Sequence, residues 1–443
     1  MKKNKKVSVK RSQALWKEAK RIIPGGSQLL SKRVEMMLPE QWPAYFSSAK
    51  GIQVVDLDGN IFLDMSHMSV GACILGYADP DINTAVKKAI DKGVMSSLNA
   101  PEEVELARAL LKLNPWAGMV RFARMGGEAM AVAVRIARAK AGKDTIAFCG
   151  YHGWHDWYLS TNLKSGSNLD AHLLSGLSPK GVPHGLSGSA IPFHYNEISE
   201  LEHIIKTQDI GVIVMEPSRH QDPRDGFLQK VREIATKHGI VLVFDEITSA
   251  FRTTMGGYHK QLGVLPDIAV YGKGLGNGFA ISAIVGKSEV MDVAQESFIS
   301  STHWTERVGF VAGLATLSKM KKVNSPLHIK KIGTQIAKGW AGLAKKHDLA
   351  VDVLGPMGLV TFEWNYKGKQ LLLKSLFTQE MLKYGFLASQ SVYVSYAHKD
   401  THIKKYLKAV DEVFAAIKKS IDQNNTESLL NGPVAHAGFA RLT

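Results

Sequence analysis

Two cysteines, Cys73 and Cys149, are all that this 443-residue chain carries. That excludes a disulfide framework and a cysteine-rich metal site. Long apolar runs are missing as well, since none approaches the ~20 residues needed to span a bilayer. The opening MKKNKKVSVKRSQ is basic but has no apolar segment behind it, which argues against a secretory signal and for the cytoplasm. Zinc-finger spacing, other compact nucleic-acid motifs, internal repeats and low-complexity tracts are absent too. The formal net charge of +15 therefore reads as solvated faces, typified by Lys319, Lys321, Lys322, Lys330 and Lys331, plus some attraction for anionic substrates. Neither a nucleic acid nor a membrane is an expected partner. What remains, 45% hydrophobic and 21% charged residues, suits one large domain with a smaller companion.

Against that background the stretch from Ile240 to Gly286 stands out: IVLVFDEITSAFRTTMGGYHKQLGVLPDIAVYGKGLGNGFAISAIVG. Residues 240–244 are a short β-branched apolar run, the pattern of a strand buried on both faces, with Asp245 and Glu246 at its carboxyl end. Open parallel sheets bind ligands beyond such ends. Residues 267–271 read as a second strand, Lys273 follows in the glycine-rich GKGLGNG, and 281–285 is a third apolar run. A lysine beside an apolar sheet edge loses its proton more readily and attacks a carbonyl as the free amine. An aspartate can hold a pyridine nitrogen protonated. Lys273 and Asp245 together are the apparatus of pyridoxal 5'-phosphate (PLP) chemistry. A DE pair after a strand is also a helix cap, and a lysine in a glycine loop is also simply solvated.

Upstream, residues 8–23 carry a helical pattern ending at the breaker Pro24-Gly25-Gly26, and 51–63 alternate around Asp58-Gly59-Asn60 as a hairpin. Pro101–Leu113 is an amphipathic helix with proline and acids at its start. A strand over 120–125 leads through Gly126 and Gly127 into a helix running to about Gly142, with Met130, Val134, Ala137 and Ala141 on one face. Strand, two glycines and helix N-terminus make an anion site, because N–H groups ahead of the first turn point outward; the glycines serve a plain turn equally well. The strand Thr145–Cys149 ends in GYHGWHDWY, where Tyr151 is placed to stack on a planar cofactor. His152 and His155 stand three apart without a third partner for zinc, so no metal is expected. Residues 165–189 form a long Ser/Gly/His-rich loop expected to shape the substrate entrance. Residues 211–215 make a strand ended by Glu216-Pro217, and 227–238 the helix before the central strand. Alternation from 120 to 285 predicts an α/β domain with a mainly parallel sheet, followed by a smaller α+β domain.

The segments VFDEITSAFR and PDIAVYGKGLGNGFAISAIVG resemble the corresponding stretches of class III PLP-dependent aminotransferases, above all their glutamate-1-semialdehyde aminomutase branch. The likeness runs from the PGG arm to the C-terminal VSYAH. It implies an aspartate aminotransferase-like, fold type I transferase with a large, mainly parallel seven-stranded-type sheet. The expected division is an arm and hairpin over 1–60, a large PLP-binding domain over 61–310 and a small C-terminal domain over 311–443. It implies that Lys273 carries PLP as a Schiff base and that Asp245 meets the pyridine nitrogen. It also implies that the phosphate lies at Gly126 and Gly127, that Tyr151 stacks on the ring, and that His152 and Glu216 lie near the cofactor. The family's usual Ser-Gly-Thr is Met125-Gly126-Gly127 here, so phosphate binding would rest on backbone amides. Aligned on GLATL, Thr302 falls on the threonine that reaches the neighbouring subunit's phosphate, with Thr305 the alternative, which implies a homodimer with sites at the subunit interface.

PLP lysines serve transaminases, aminomutases, decarboxylases and racemases alike. Arg252 is a candidate for a substrate carboxylate or for a structural ion pair. The aminomutase has a serine, a tryptophan and a glutamate near substrate where this chain has Leu29, Val70 and Gln390. The expectation is an intermolecular aminotransferase acting on a small amino acid, amine or keto/aldehyde metabolite. The alternatives are an aminomutase of the glutamate-1-semialdehyde type and, from another class, a non-catalytic basic scaffold with the same fold.

Overall fold

The computed structural model describes residues 7–218 and 222–442, so the basic residues 1–6 lie outside the described residues. Two compact units emerge, Met1–Asp79 with His328–Thr443 and, between them in sequence, Pro80–Leu327.

In the discontinuous unit, β1 (Phe46–Lys50), β2 (Gln53–Asp56) and β3 (Ile61–Met65) form an antiparallel meander. The β2–β3 connection is the expected turn, with Gly59 at φ 83°. Its Asp56 side chain accepts from the backbone N–H of Asp58 and Asn60. Asp58 reaches further: its two carboxylate oxygens accept from the N–H groups of Arg11 and Ser12 at 2.9 and 3.0 Å. The helix Lys10–Ile22 is therefore capped from the hairpin, because Val9 at its own N-cap has no side-chain acceptor.

The continuous unit holds β4 (Met119–Ala123), β5 (Thr145–Cys149), β6 (Ala190–Pro192), β7 (Ile210–Met215), β8 (Val241–Asp245), β9 (Ile268–Tyr271) and β10 (Ser282–Gly286). They make one seven-stranded sheet in the order β4-β10-β9-β8-β7-β5-β6. β10 runs antiparallel to both neighbours, and the other pairings are parallel. Alternate side chains explain the layering. Phe148, Val214, Val243 and Val270 pack with Ala129, Met130, Ala133 and Ala137 of the helix Gly126–Ala141. Cys149, Met215, Leu242 and Phe244 face the other way, toward Leu201, Phe227 and Val231 of the helices Ile198–Thr207 and Phe227–Lys237. Helices cover both faces, which is why these strands read as unbroken apolar runs rather than as alternation.

Back in the discontinuous unit, β11 (Val351–Leu354), β12 (Leu359–Trp364) and β14 (Ser391–Tyr393) form a three-stranded sheet. β13 (Phe386–Ala388) instead joins the meander, parallel to β3. That pairing assigns 61–65 to the smaller unit, so the division falls after Asp79 rather than near residue 60. At the other end the helix Arg307–Val323 stays with the large unit instead of opening the small one at 311. It is tied there by ion pairs Arg307–Glu102 and Lys319–Asp81, each at 2.9 Å. Lys319 is thus a paired, largely covered lysine and not part of a solvated face. Among the described residues no helix is long and apolar enough to cross a membrane.

Candidate active site

Asp245 closes β8 and pairs across the sheet with Val270 of β9, the strand that Lys273 follows, so the acid and the amine leave the sheet at one edge. Cys149, Met215 and Phe244 stand in one row across β5, β7 and β8. His152 and Glu216, just past those residues, come to the same edge. Reversal of β10 brings β4 round as well: Ser282 pairs with Ala123, and its hydroxyl donates to the Met125 carbonyl at 3.2 Å. Gly126 and Gly127 open their helix there. The first ladder bond is Ala129 N–H to Met125 O, so the two glycine N–H groups stand ahead of the helical ladder. Ile247 fills the gap between the strand ends, since a Cβ on Gly126 would lie 2.9 Å from its Cδ1.

The carboxylate of Asp245 is buried. Oδ2 accepts from His152 Nδ1 at 2.9 Å and Oδ1 from the Ile247 N–H at 3.1 Å. Each oxygen has two acceptor positions, so an inward-facing N–H can still be received. His152 Nε2 faces the Cys149 carbonyl at 3.2 Å, and its ring stacks on Trp157 at 6.0 Å, which fixes its plane. His155 is turned elsewhere, stacked on Trp154 and packed against Gly127, so the two histidines do not converge. Lys273 has φ 41°, a left-handed conformation uncommon outside glycine and characteristic of functional turns. Its Nζ donates to Thr248 Oγ1 at 2.6 Å.

Glu246, the second acid of the pair, turns away from this edge. Its buried carboxylate accepts from Ser249 Oγ, the N–H groups of Tyr258 and His259, and His259 Nδ1, at 2.6–2.8 Å. It closes the turn over 246–259 from within. Arg252 is buried in that turn and gives its Nε–H to the Thr248 carbonyl at 2.5 Å. Glu216 accepts the Tyr151 N–H at 3.1 Å, holding the turn that presents Tyr151, whose ring meets Tyr158 edge-on at 5.9 Å. His172 of the long loop accepts the Gly150 N–H on Nδ1 at 3.4 Å and stacks on His194 at 5.8 Å. Burial pushes the His172 imidazole down to about 4.

Thr302 and Thr305 are exposed on a short turn over 302–305, and the carbonyls of His303 and Trp304 within it and of Glu306 just after it receive the Arg124 guanidinium. Leu29, Val70 and Gln390 belong to the discontinuous unit. Leu29 is exposed, Val70 has φ 55° within a left-handed run from Met68 to Gly71, and Gln390 donates its amide to the Phe362 carbonyl at 3.1 Å. Thr248, Arg124 and His172 escape a reading by motif. Only the position of Thr248, three residues past Asp245, offered a signal.

A buried carboxylate with acceptor capacity left, an amine just past the neighbouring strand and a helix N-terminus along one sheet edge fit a phosphorylated pyridine aldehyde. The sequence matches the family described as Aminotransferase class-III over residues 38–414. The chain belongs to the class III aminotransferases. It is similar to the 3-aminobutyryl-CoA aminotransferase of Cloacimonas acidaminovorans (strain Evry), 31% identical over 94% of this chain and 99% of that one. It is also similar to the glutamate-1-semialdehyde 2,1-aminomutase of Methanothrix thermoacetophila, 34% identical over 78% and 80%. Among solved structures the FumI protein of Sphingopyxis sp. MTA144, in a PLP-bearing form, superposes with TM-score 0.85 at 23% identity, over 95% of this chain and 99% of that one. As a class III aminotransferase the protein is an enzyme with the α/β transferase fold, PLP as cofactor and small-molecule amino donors and acceptors.

Proposed function

We propose that this class III aminotransferase moves an amino group between two molecules, from a small amino acid or amine to a keto or aldehyde acceptor. The observation that carries the reading is that Lys273 follows β9 at the same sheet edge where β8 ends in the buried, His152-bonded carboxylate of Asp245. In this proposal Lys273 is the cofactor's attachment point and Asp245 receives the ring N–H. The Gly126 and Gly127 amides take the phosphate, Tyr151 covers the ring, and His152 and Glu216 hold Asp245 and the Tyr151 turn in place. PLP, when bound, supplies the electron sink for the carbanion at the substrate α-carbon. With that group bound, Nζ of Lys273 would be the base that takes the substrate α-proton and returns it two atoms away, across the nitrogen, the 1,3-shift of transamination. Burial of Asp245 keeps water from competing for its carboxylate.

Support for an intermolecular reaction comes from Leu29, Val70 and Gln390, which replace three polar or aromatic substrate-side residues of the aminomutase branch. The 3-aminobutyryl-CoA aminotransferase aligns nearly end to end, and a net charge of +15 suits an anionic substrate. A homodimer as the working unit is supported by Thr302, which is exposed on a turn held by Arg124 and so is available to reach a second subunit.

The test follows labelled amino groups. Purified enzyme should show a visible absorbance band that Lys273→Ala abolishes, and borohydride should fix the cofactor to Lys273. Label passing from an added donor to an added keto acid is expected. Product from a single substrate with no donor required would instead assign an aminomutase, the activity named for the Methanothrix relative.

A further inference from the structure

Lys273 and Asp245 account for the attachment point and the ring contact, but the hydrogen bond from Lys273 leads to a third side chain. Its Nζ donates to the hydroxyl of Thr248 at 2.6 Å. Thr248 is buried, and its backbone is fixed from two directions. Its carbonyl receives Arg252 Nε, and the residues either side belong to the turn that Glu246 closes through Ser249, Tyr258 and His259. Ile247, immediately before it, is wedged against Gly126 and Gly272. An oxygen held this firmly is a fixed acceptor. Lysine, by contrast, is a charge on a flexible four-carbon stem whose freedom must be restrained for each proton transfer.

We propose that Thr248 is a positioning residue for Lys273: its hydroxyl receives the lysine amine whenever that amine is not bonded to the cofactor. This rests on the assignment of Lys273 made above. An acceptor on the amine favours the ammonium form, so the same contact sets how readily Lys273 gives up its proton. Ionisable groups around this sheet edge include Asp245 at the end of β8, His152 after β5 and Glu216 after β7, with Glu246 and Arg252 inside the turn that carries Thr248, and none of them changes in the variants below. Thr248 itself carries no charge and takes no proton in the reaction. It hands Lys273 a defined place from which Nζ takes and returns one.

The contact is read without turnover in cofactor-stripped enzyme. Competitive acylation of Lys273, followed by mass spectrometry from pH 6 to 11, gives the pH at which its amine becomes reactive. In Thr248→Val, which keeps the shape and loses the acceptor, that midpoint should fall by about one pH unit, and in Thr248→Ser it should stay with the wild type. In the holoenzyme Thr248→Val should lower kcat about tenfold or more with little change in KM, move the acid limb of the kcat profile to lower pH, and again be rescued by serine. A labelling midpoint and pH profile unchanged in Thr248→Val overturn the proposal. Should that variant fold poorly by thermal melt, Thr248→Ala supplies the same comparison. Borohydride fixing the cofactor elsewhere than Lys273 would instead overturn the underlying assignment, so the two failures are told apart.

Discussion

Nδ1 of His152 donates to Oδ2 of Asp245 at 2.9 Å across two strands, and both side chains are buried. The carboxylate is thereby aimed before any ligand arrives, which limits the reorganisation left for the chemical step. Asp245→Asn keeps the shape and removes the charge. We expect turnover to fall about 10²–10³-fold with a nearly unchanged melting temperature. His152→Ala leaves the buried acid short of a donor, and urea unfolding should report a loss of about 1–3 kcal/mol.

Gly126 is required by a close approach. A methyl group there would meet Ile247 Cδ1 at 2.9 Å, and Ile247 leads directly into the Thr248 turn. Gly126→Ala should therefore cost about 1–3 kcal/mol and weaken cofactor retention. Ile247→Val in the same chain removes the offending Cδ1 and should recover part of both. Additive losses in this double-mutant cycle would show that the two positions do not press on one another.

His172 provides the pH dependence. Its folded pKa, about 4, lies below the ordinary value of 6.5 because burial penalises the cation. Between those values the unfolded chain binds the extra proton, so stability is fully present above pH 6.5 and drains away as pH falls toward 4. Protonation on Nδ1 would also end the bond from Gly150. In His172→Asn an acceptor remains without titration, and the slope of unfolding free energy across that window should be shallower than in the wild type.

Val70 is a β-branched residue at φ 55° in a left-handed run. Such a conformation stores about 1–3 kcal/mol, of which glycine returns part in chain entropy. Val70→Gly should gain about 1 kcal/mol by chemical denaturation, and an unchanged midpoint would show that the left-handed run stores no strain at this residue.

The sheet was legible because its strands are short apolar runs with chemistry-bearing residues at their carboxyl ends. Residues 240–244, 267–271 and 281–285 lie within a residue of β8, β9 and β10. The placement of Asp245 and Lys273 at one sheet edge was legible for the same reason. Glu216 was read as lying near the cofactor, and Arg252 as a group for a substrate carboxylate or a structural ion pair; Glu216 accepts the Tyr151 amide and Arg252 donates to the Thr248 carbonyl. Spacing cannot separate a side chain that faces a ligand from one that holds the facing side chain. The division near 60 and 310 moved to 79 and 327 because a parallel pairing between β3 and β13 joins residues far apart in sequence, which leaves no local trace. The capping of Lys10–Ile22 by Asp58 escaped for that reason too.

The β3–β13 ladder has a bearing on how the protein is made. As the chain leaves the ribosome, the meander emerges with the β3 border unpaired, and its companion segment, Phe386–Ala388, follows only after the whole of Pro80–Leu327. Throughout that interval the contiguous Pro80–Leu327 body is free to fold on its own, while the earlier-born piece waits as a sticky half-sheet. Chaperone dependence and aggregation during overexpression should therefore track the first eighty residues, and a circular permutant that begins at His328 and runs through the old termini to Asp79 before entering Pro80 would abolish the delay.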